Sequence, residues 1–157
     1  MSIYHVFESL QNNPLSDVIR RQDHLFGATA QLLHIVGIIF VLSPIVLISL
    51  RLLGFGILKQ SSADLFKATA GFIWTGLALL VISGLAIFLP VAKQYYPNPI
   101  FWFKFILLLS VIVLHLTWYR RISKSESPRP FVAKATAVVA LTSWFGVAYA
   151  GRFIGFF

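Results

Sequence analysis

Residues Leu25 to Arg51 read LFGATAQLLHIVGIIFVLSPIVLISLR, and no formally charged residue falls between Phe26 and Leu50. At about 1.5 Å per residue, a helix of this length crosses a hydrocarbon core of roughly 30 Å. His34 lies in the first half of the stretch, three residues after Gln31. An imidazole inside a membrane helix is costly and rare, and so marks a functional site by default. Pro44 is expected to kink the helix, with neighbouring helices satisfying the freed carbonyl.

Three further apolar runs extend the pattern. Spans are expected at about 26–51, 66–90, 100–120 and 131–156. Residues 1–24, MSIYHVFESLQNNPLSDVIRRQDH, place Ile3, Val6, Phe7 and Leu10 at helical spacing before Asn12, Asn13 and Pro14 break the run. A second short amphipathic piece follows over Leu15 to Arg21, and the whole lead is expected to lie in the membrane interface. It is too polar for the apolar core of a cleavable signal peptide. The expected fold is all-α: a single-domain integral membrane four-helix bundle with an N-terminal interfacial segment. The second span carries Gly71, Thr75, Gly76, Ser83 and Gly84, and the fourth carries Gly151 and Gly155, small residues suited to close helix contact. Pro90 is expected to end the second span. The segment KQYYPNP after it reads as a polar loop, with Tyr95 and Tyr96 in an interfacial belt.

Composition agrees. The chain is 58% hydrophobic and 11% charged, with a mean hydropathy of +0.83, whereas soluble chains carry about a quarter charged residues. The net charge of +8 sits in flanks and loops. That distribution suits lipid headgroups, and no nucleic-acid face is expected. With no cysteine, disulfides, thiolate metal ligands and covalent c-type haem attachment are excluded. Arg51, Lys59, Lys67, Arg120, Arg121, Lys124, Arg129 and Lys134 flank loops one and three; Arg20, Arg21, Lys93, Lys104 and Arg152 belong to the other side. Eight against five orients a bacterial inner-membrane protein with both termini outside.

Depth can be counted along these spans. His34 lies roughly 12 Å below the outer boundary, Lys104 about 6 Å, Arg152 about 8 Å and His115 roughly 22 Å. His34, Lys104 and Arg152 therefore form an outer-leaflet polar cluster. An imidazole there is a candidate axial haem ligand and metal ligand, and an arginine suits a haem propionate. His115 is the more usual second ligand chemically, but an offset near 10 Å separates it from His34. Each residue also has a plainer reading: His34 as packing glue bonded to Gln31 or a carbonyl, Lys104 and Arg152 as snorkelling cations, His115 as a structural residue near the inner interface. No acidic residue falls inside a span, which argues against a carboxylate proton relay or a carboxylate-rich metal cage.

The run PLSDVIRRQDHLFGATAQLLHIVGIIFVLSPIVLISLRLLG, the piece NPIFWFKFILLLSVIVLH and the closing GRFIGFF resemble an uncharacterised family of small bacterial four-helix membrane proteins. A more distant likeness is to CopD-type copper-resistance membrane domains and to the HemJ-type protoporphyrinogen IX oxidase. It rests on an early His in the first span, here His34, and on Lys104 followed eleven residues later by His115. The resemblance implies haem binding by the first-span His and the third-span Lys. The exit Arg51-Leu52-Leu53-Gly54 lacks the aromatic and His-rich segment of the oxidase, which argues against porphyrinogen oxidation itself.

Three functions compete on these grounds. The first is a haem b protein of membrane electron transfer or of porphyrin or quinone redox chemistry. The second is a non-catalytic accessory subunit, held in a larger complex or a homo-oligomer through its small-residue faces. The third is copper handling, which one methionine and no cysteine support poorly.

Overall fold

The structure, a computed structural model, describes residues 2–56, 59–125 and 129–154. It is all-helical, with no strand among the described residues. Two short helices, α1 (Ile3–Gln11) and α2 (Pro14–Arg20), precede α3 (His24–Leu53). Next come α4 (Ser62–Phe88), a 3₁₀ turn over Leu89–Val91 and α5 (Ala92–Tyr95). Then follow α6 (Pro99–Leu114), a π-helical turn over His115–Tyr119, α7 (Arg120–Ser123) and α8 (Pro130–Phe153). Four helical paths are long and apolar enough to cross a membrane: His24–Leu53, Ser62–Tyr95, Pro99–Ser123 and Pro130–Phe153. The helix continues through Pro44, which is buried.

Local chemistry sets the ends. Asp23 accepts from the Leu25 amide at the start of α3, and Gly54 (φ +92°) closes it in the left-handed conformation that glycine takes without strain. Ser61 accepts from the Asp64 amide and donates to the Asp64 carboxylate, so α4 starts at Ser62, earlier than the apolar run alone suggests. Asn98 caps α6 by accepting from the Ile100 and Phe101 amides, while its own amide donates to the Ile154 carbonyl. That buried asparagine ties the start of α6 to the end of α8.

Three expectations need correcting. Pro90 does not end the second span. It occupies the first turn of the 3₁₀ segment, where its missing N–H costs little, and the path stays helical to Tyr95. The KQYYPNP segment is therefore half helix, and its tyrosines pack inward: Tyr95 stacks on Phe88 and Phe101, and Tyr96 meets Tyr4 and Phe7. The third span likewise overruns its expected end near residue 120, carried to Ser123 by the π turn. Gly155 and the expected end of the fourth span at 156 lie outside the described residues.

α3 is the central helix. It packs along α4 on one side and α8 on the other, and α6 leans on α8. Val41, Ile45 and Ile48 of α3 are fully buried, and Ala133, Ala137 and Ala140 of α8 form the small-residue seam that admits them. α3 and α4 cross at Gly37 and Gly76. A Cβ on Gly76 would lie 2.8 Å from Phe40 Cβ and 2.9 Å from the Gly37 carbonyl oxygen. α4 and α6 meet through aromatic rings near one end, Phe88 on Phe101 at 5.5 Å, and are not packed backbone to backbone along the span.

The lead closes that end of the bundle. Phe7 is buried among Phe88, Tyr96, Phe101 and Trp102, with ring centroids 5.5 to 6.0 Å away. Ile3, Val6, Leu15 and Val18 stay exposed, the apolar side available to lipid. Lys93 Nζ donates to Glu8 at 2.7 Å, and the Lys93 amide donates to Gln11 Oε1 at 2.8 Å. The Lys93 ammonium holds the Glu8 carboxyl below its ordinary value of 4.5. A carboxyl lowered by folding contributes stability above its unfolded value and loses it as pH falls through the folded one. Protection of the α1 amides from hydrogen exchange is therefore expected to drop on acidification below about pH 4.5. The Glu8→Gln variant should be weaker at neutral pH and flat across that range. Exchange at unfolded-chain rates throughout α1 at pH 7 would show that the lead does not dock.

Candidate functional site

His34 faces α4 from the N-terminal half of α3. Its Nδ1 lies 2.9 Å from Ser83 Oγ, and that hydroxyl also lies 2.5 Å from the Leu79 carbonyl. A carbonyl only accepts, so the single Ser83 proton goes to Leu79. The Ser83 oxygen then accepts from His34, which puts the imidazole proton on Nδ1 and leaves the lone pair on Nε2. This is how a second group selects the nitrogen that a histidine offers to a metal. Nε2 makes no hydrogen bond to any described residue. Gly84 lies beside the ring, where a Cβ would be 3.5 Å from Cε1. Gln31 is exposed and does not bond His34.

Lys104 enters from α6. Its stem lies along Gly151 of α8, with Nζ 3.1 Å from where a Cβ on that glycine would sit. The ammonium is within electrostatic reach of His34 and makes no hydrogen bond or ion pair with any described residue. Arg152, next to Gly151, is exposed at the end of α8. α3, α6 and α8 thus bring His34, Lys104 and the backbone carrying Arg152 to one level of the bundle, beside the seam where α4 and α6 do not pack.

His115 belongs to another layer. It is 6% exposed, stacks on Tyr119 at 4.9 Å and meets Trp144 edge-on at 5.8 Å. The Tyr119 hydroxyl donates to the Ile45 carbonyl at 3.2 Å and accepts from Ser49 at 3.3 Å. Ile45 is eleven residues beyond His34, about 16 Å along α3. With His115 one turn above Tyr119, the two imidazoles are about 10 Å apart along the bundle axis. His34 and His115 are not brought face to face. Among the described residues no three His, Asp or Glu side chains converge on a point.

Ser83 and the Tyr119–Ser49 pair escaped the reading of the sequence. Ser83 stands among small residues that look like packing, and nothing in one chain couples it to a residue 49 positions away. The π turn has no sequence signature either, although such turns cluster at functional sites.

Four membrane-length helices, with a histidine oriented by Ser83 and a lysine that pairs with no described residue between them, define a small polytopic helical membrane protein with an internal polar site. The chain belongs to the family of unknown function DUF6644, whose pattern matches residues 6–157. No curated protein and no solved structure matches it.

Proposed function

We propose that this chain is a haem b protein of the bacterial inner membrane, working in electron transfer or in porphyrin or quinone redox chemistry. His34 and Lys104 would hold the haem iron, and Arg152 would hold a propionate. The observation that carries this reading is the Ser83 contact, which directs the His34 lone pair to Nε2, the nitrogen that no described residue bonds. Lys104 adds a second donor that no described residue occupies. The distant likeness to CopD-type domains and the HemJ-type oxidase, carried by His34, Lys104 and His115, points the same way. With no cysteine in the chain, only non-covalent haem suits it. Bound iron would supply a one-electron couple; the protein's part is ligation, a dry surrounding and charge placement. Protein purified from haem-replete cells should show a Soret band and reducible α and β bands. A colourless preparation that takes up no haem would remove this reading.

The accessory-subunit reading has one observation of its own. Gly71, Thr75 and Ala78 make an exposed small-residue line on α4, with nothing within 4 Å of a Cβ on Gly71. It takes first place if the protein is colourless. Copper handling has no comparable support.

Both termini are proposed to face the outside, on the charge excess of loops one and three. Lys59→Cys and Ser125→Cys should resist an impermeant thiol reagent applied to intact cells and react after permeabilisation. Labelling of either before permeabilisation would reverse the orientation.

A further inference from the structure

The π turn that follows α6 and the facing side of α8 line a half-open cavity of about 190 Å³, with His115, Trp118, Tyr119, Val139, Ser143 and Trp144 among its walls. Its walls are apolar and aromatic, but two polar groups on them lack partners. His115 is nine-tenths buried, and neither ring nitrogen bonds a described residue. The Ser143 hydroxyl, across on α8, makes no hydrogen bond to a described residue either. Thr136, by contrast, accepts from Trp118 Nε1 at 2.8 Å and donates to the Val132 carbonyl. A buried imidazole without a partner costs free energy that a bound ligand can restore. The π turn supplies the space, because its wider ring displaces one residue from the α-helical register, a local irregularity found often at functional sites.

We propose that this cavity is a binding site for the headgroup of a lipid-borne quinone, held by a hydrogen bond to His115 and stacked among Trp118, Tyr119 and Trp144. Size agrees: an apolar cavity of about 150 Å³ accepts a benzene ring, and this one leaves room for ring substituents. Entry agrees too. Trp118 and Val139 at the rim are exposed on the outer face of the bundle, so a molecule dissolved in the bilayer reaches the cavity without crossing water. A neutral His115 donates to a quinone carbonyl or accepts from a quinol hydroxyl, so either form is recognised. The site is separate from the His34 cluster and does not depend on haem.

The test uses full-length protein in lipid nanodiscs, titrated with a benzoquinone bearing a ten-carbon tail and followed by tryptophan fluorescence. Trp118 and Trp144 line the cavity, so saturable quenching is expected. His115→Phe keeps the stacking and removes the hydrogen bond, and should weaken binding about 3- to 10-fold. Val139→Phe, at an exposed rim position, should block entry and abolish saturation. Leu32→Ala, at an exposed position of α3 that does not line the cavity, should leave the titration unchanged. Quenching that rises without saturation, saturable quenching untouched by both cavity variants, or equal competition by a ten-carbon alkane with no ring would each overturn the proposal.

Discussion

Replacing His34 with alanine is expected to abolish six-coordinate haem, leaving a five-coordinate spectrum or an empty protein. His34 Nε2 is the lone pair that the Ser83 contact leaves free, and nothing else at that level of α3 offers the iron a neutral nitrogen. Ser83→Ala should act through the same atom more mildly. Without the acceptor, Nδ1 and Nε2 compete for the proton, and loss of such an orienting partner costs about 10- to 100-fold in affinity. The opposite ligand is decided by two further variants. Lys104→Met should move the Soret and α bands, and His115→Ala should leave them nearly intact, because His115 sits about 10 Å lower in the bundle. A ligating Lys104 must be the neutral amine, since the ammonium has no lone pair. The reverse pattern, bands moved by His115→Ala alone, would mean that the helices shift enough to join the two layers. Unchanged bands in His34→Ala would remove the site.

The second large effect is expected at Gly76. Alanine there places a methyl 2.8 Å from Phe40 Cβ and Val41 Cγ2 and 2.9 Å from the Gly37 carbonyl oxygen, and no side-chain rotation moves the Phe40 Cβ or that carbonyl. α3 and α4 must separate, and α3 carries the core of the bundle, so the strain reaches the helix that packs most of it. Overpacking of this kind costs typically about 1–3 kcal/mol, and Gly76→Val should cost more than Gly76→Ala. Gly71→Ala, one turn and a residue earlier on the same helix, meets open space and should be neutral. Unfolding of the purified protein by sodium dodecyl sulfate, or its thermal midpoint in a mild detergent, reads the difference. Equal stability of Gly76→Ala and Gly71→Ala would show that the Gly37–Gly76 crossing is looser than it looks. His34 and Ser83 lie on the same two helices, so a Gly76 variant that stays folded should also lose haem affinity.

The spans, their number and the polar residues inside them were legible without any structure, because hydrocarbon leaves a chain little choice: a run of about 20 apolar residues must satisfy its own backbone as a helix. The amphipathic lead was legible as two short helices for a similar reason, since Pro14 stops one and starts the next. Depth counting along ideal helices already separated His34 from His115 and grouped it with Lys104. Only the tertiary structure decided what each of these residues touches. Phe7 belongs to the bundle because the aromatic rings by which α4 and α6 meet at one end present a face that its ring covers, and periodicity does not reveal such a face. Ser83 reaches His34 because Gly37 and Gly76 let α3 and α4 approach closely enough for a serine to span them. The cavity at His115 exists because one turn of α6 widens to π geometry. A composition-based reading finds which groups are costly in lipid; their partners are set by helix crossings between residues far apart in the chain, where one glycine or one altered turn decides the contact.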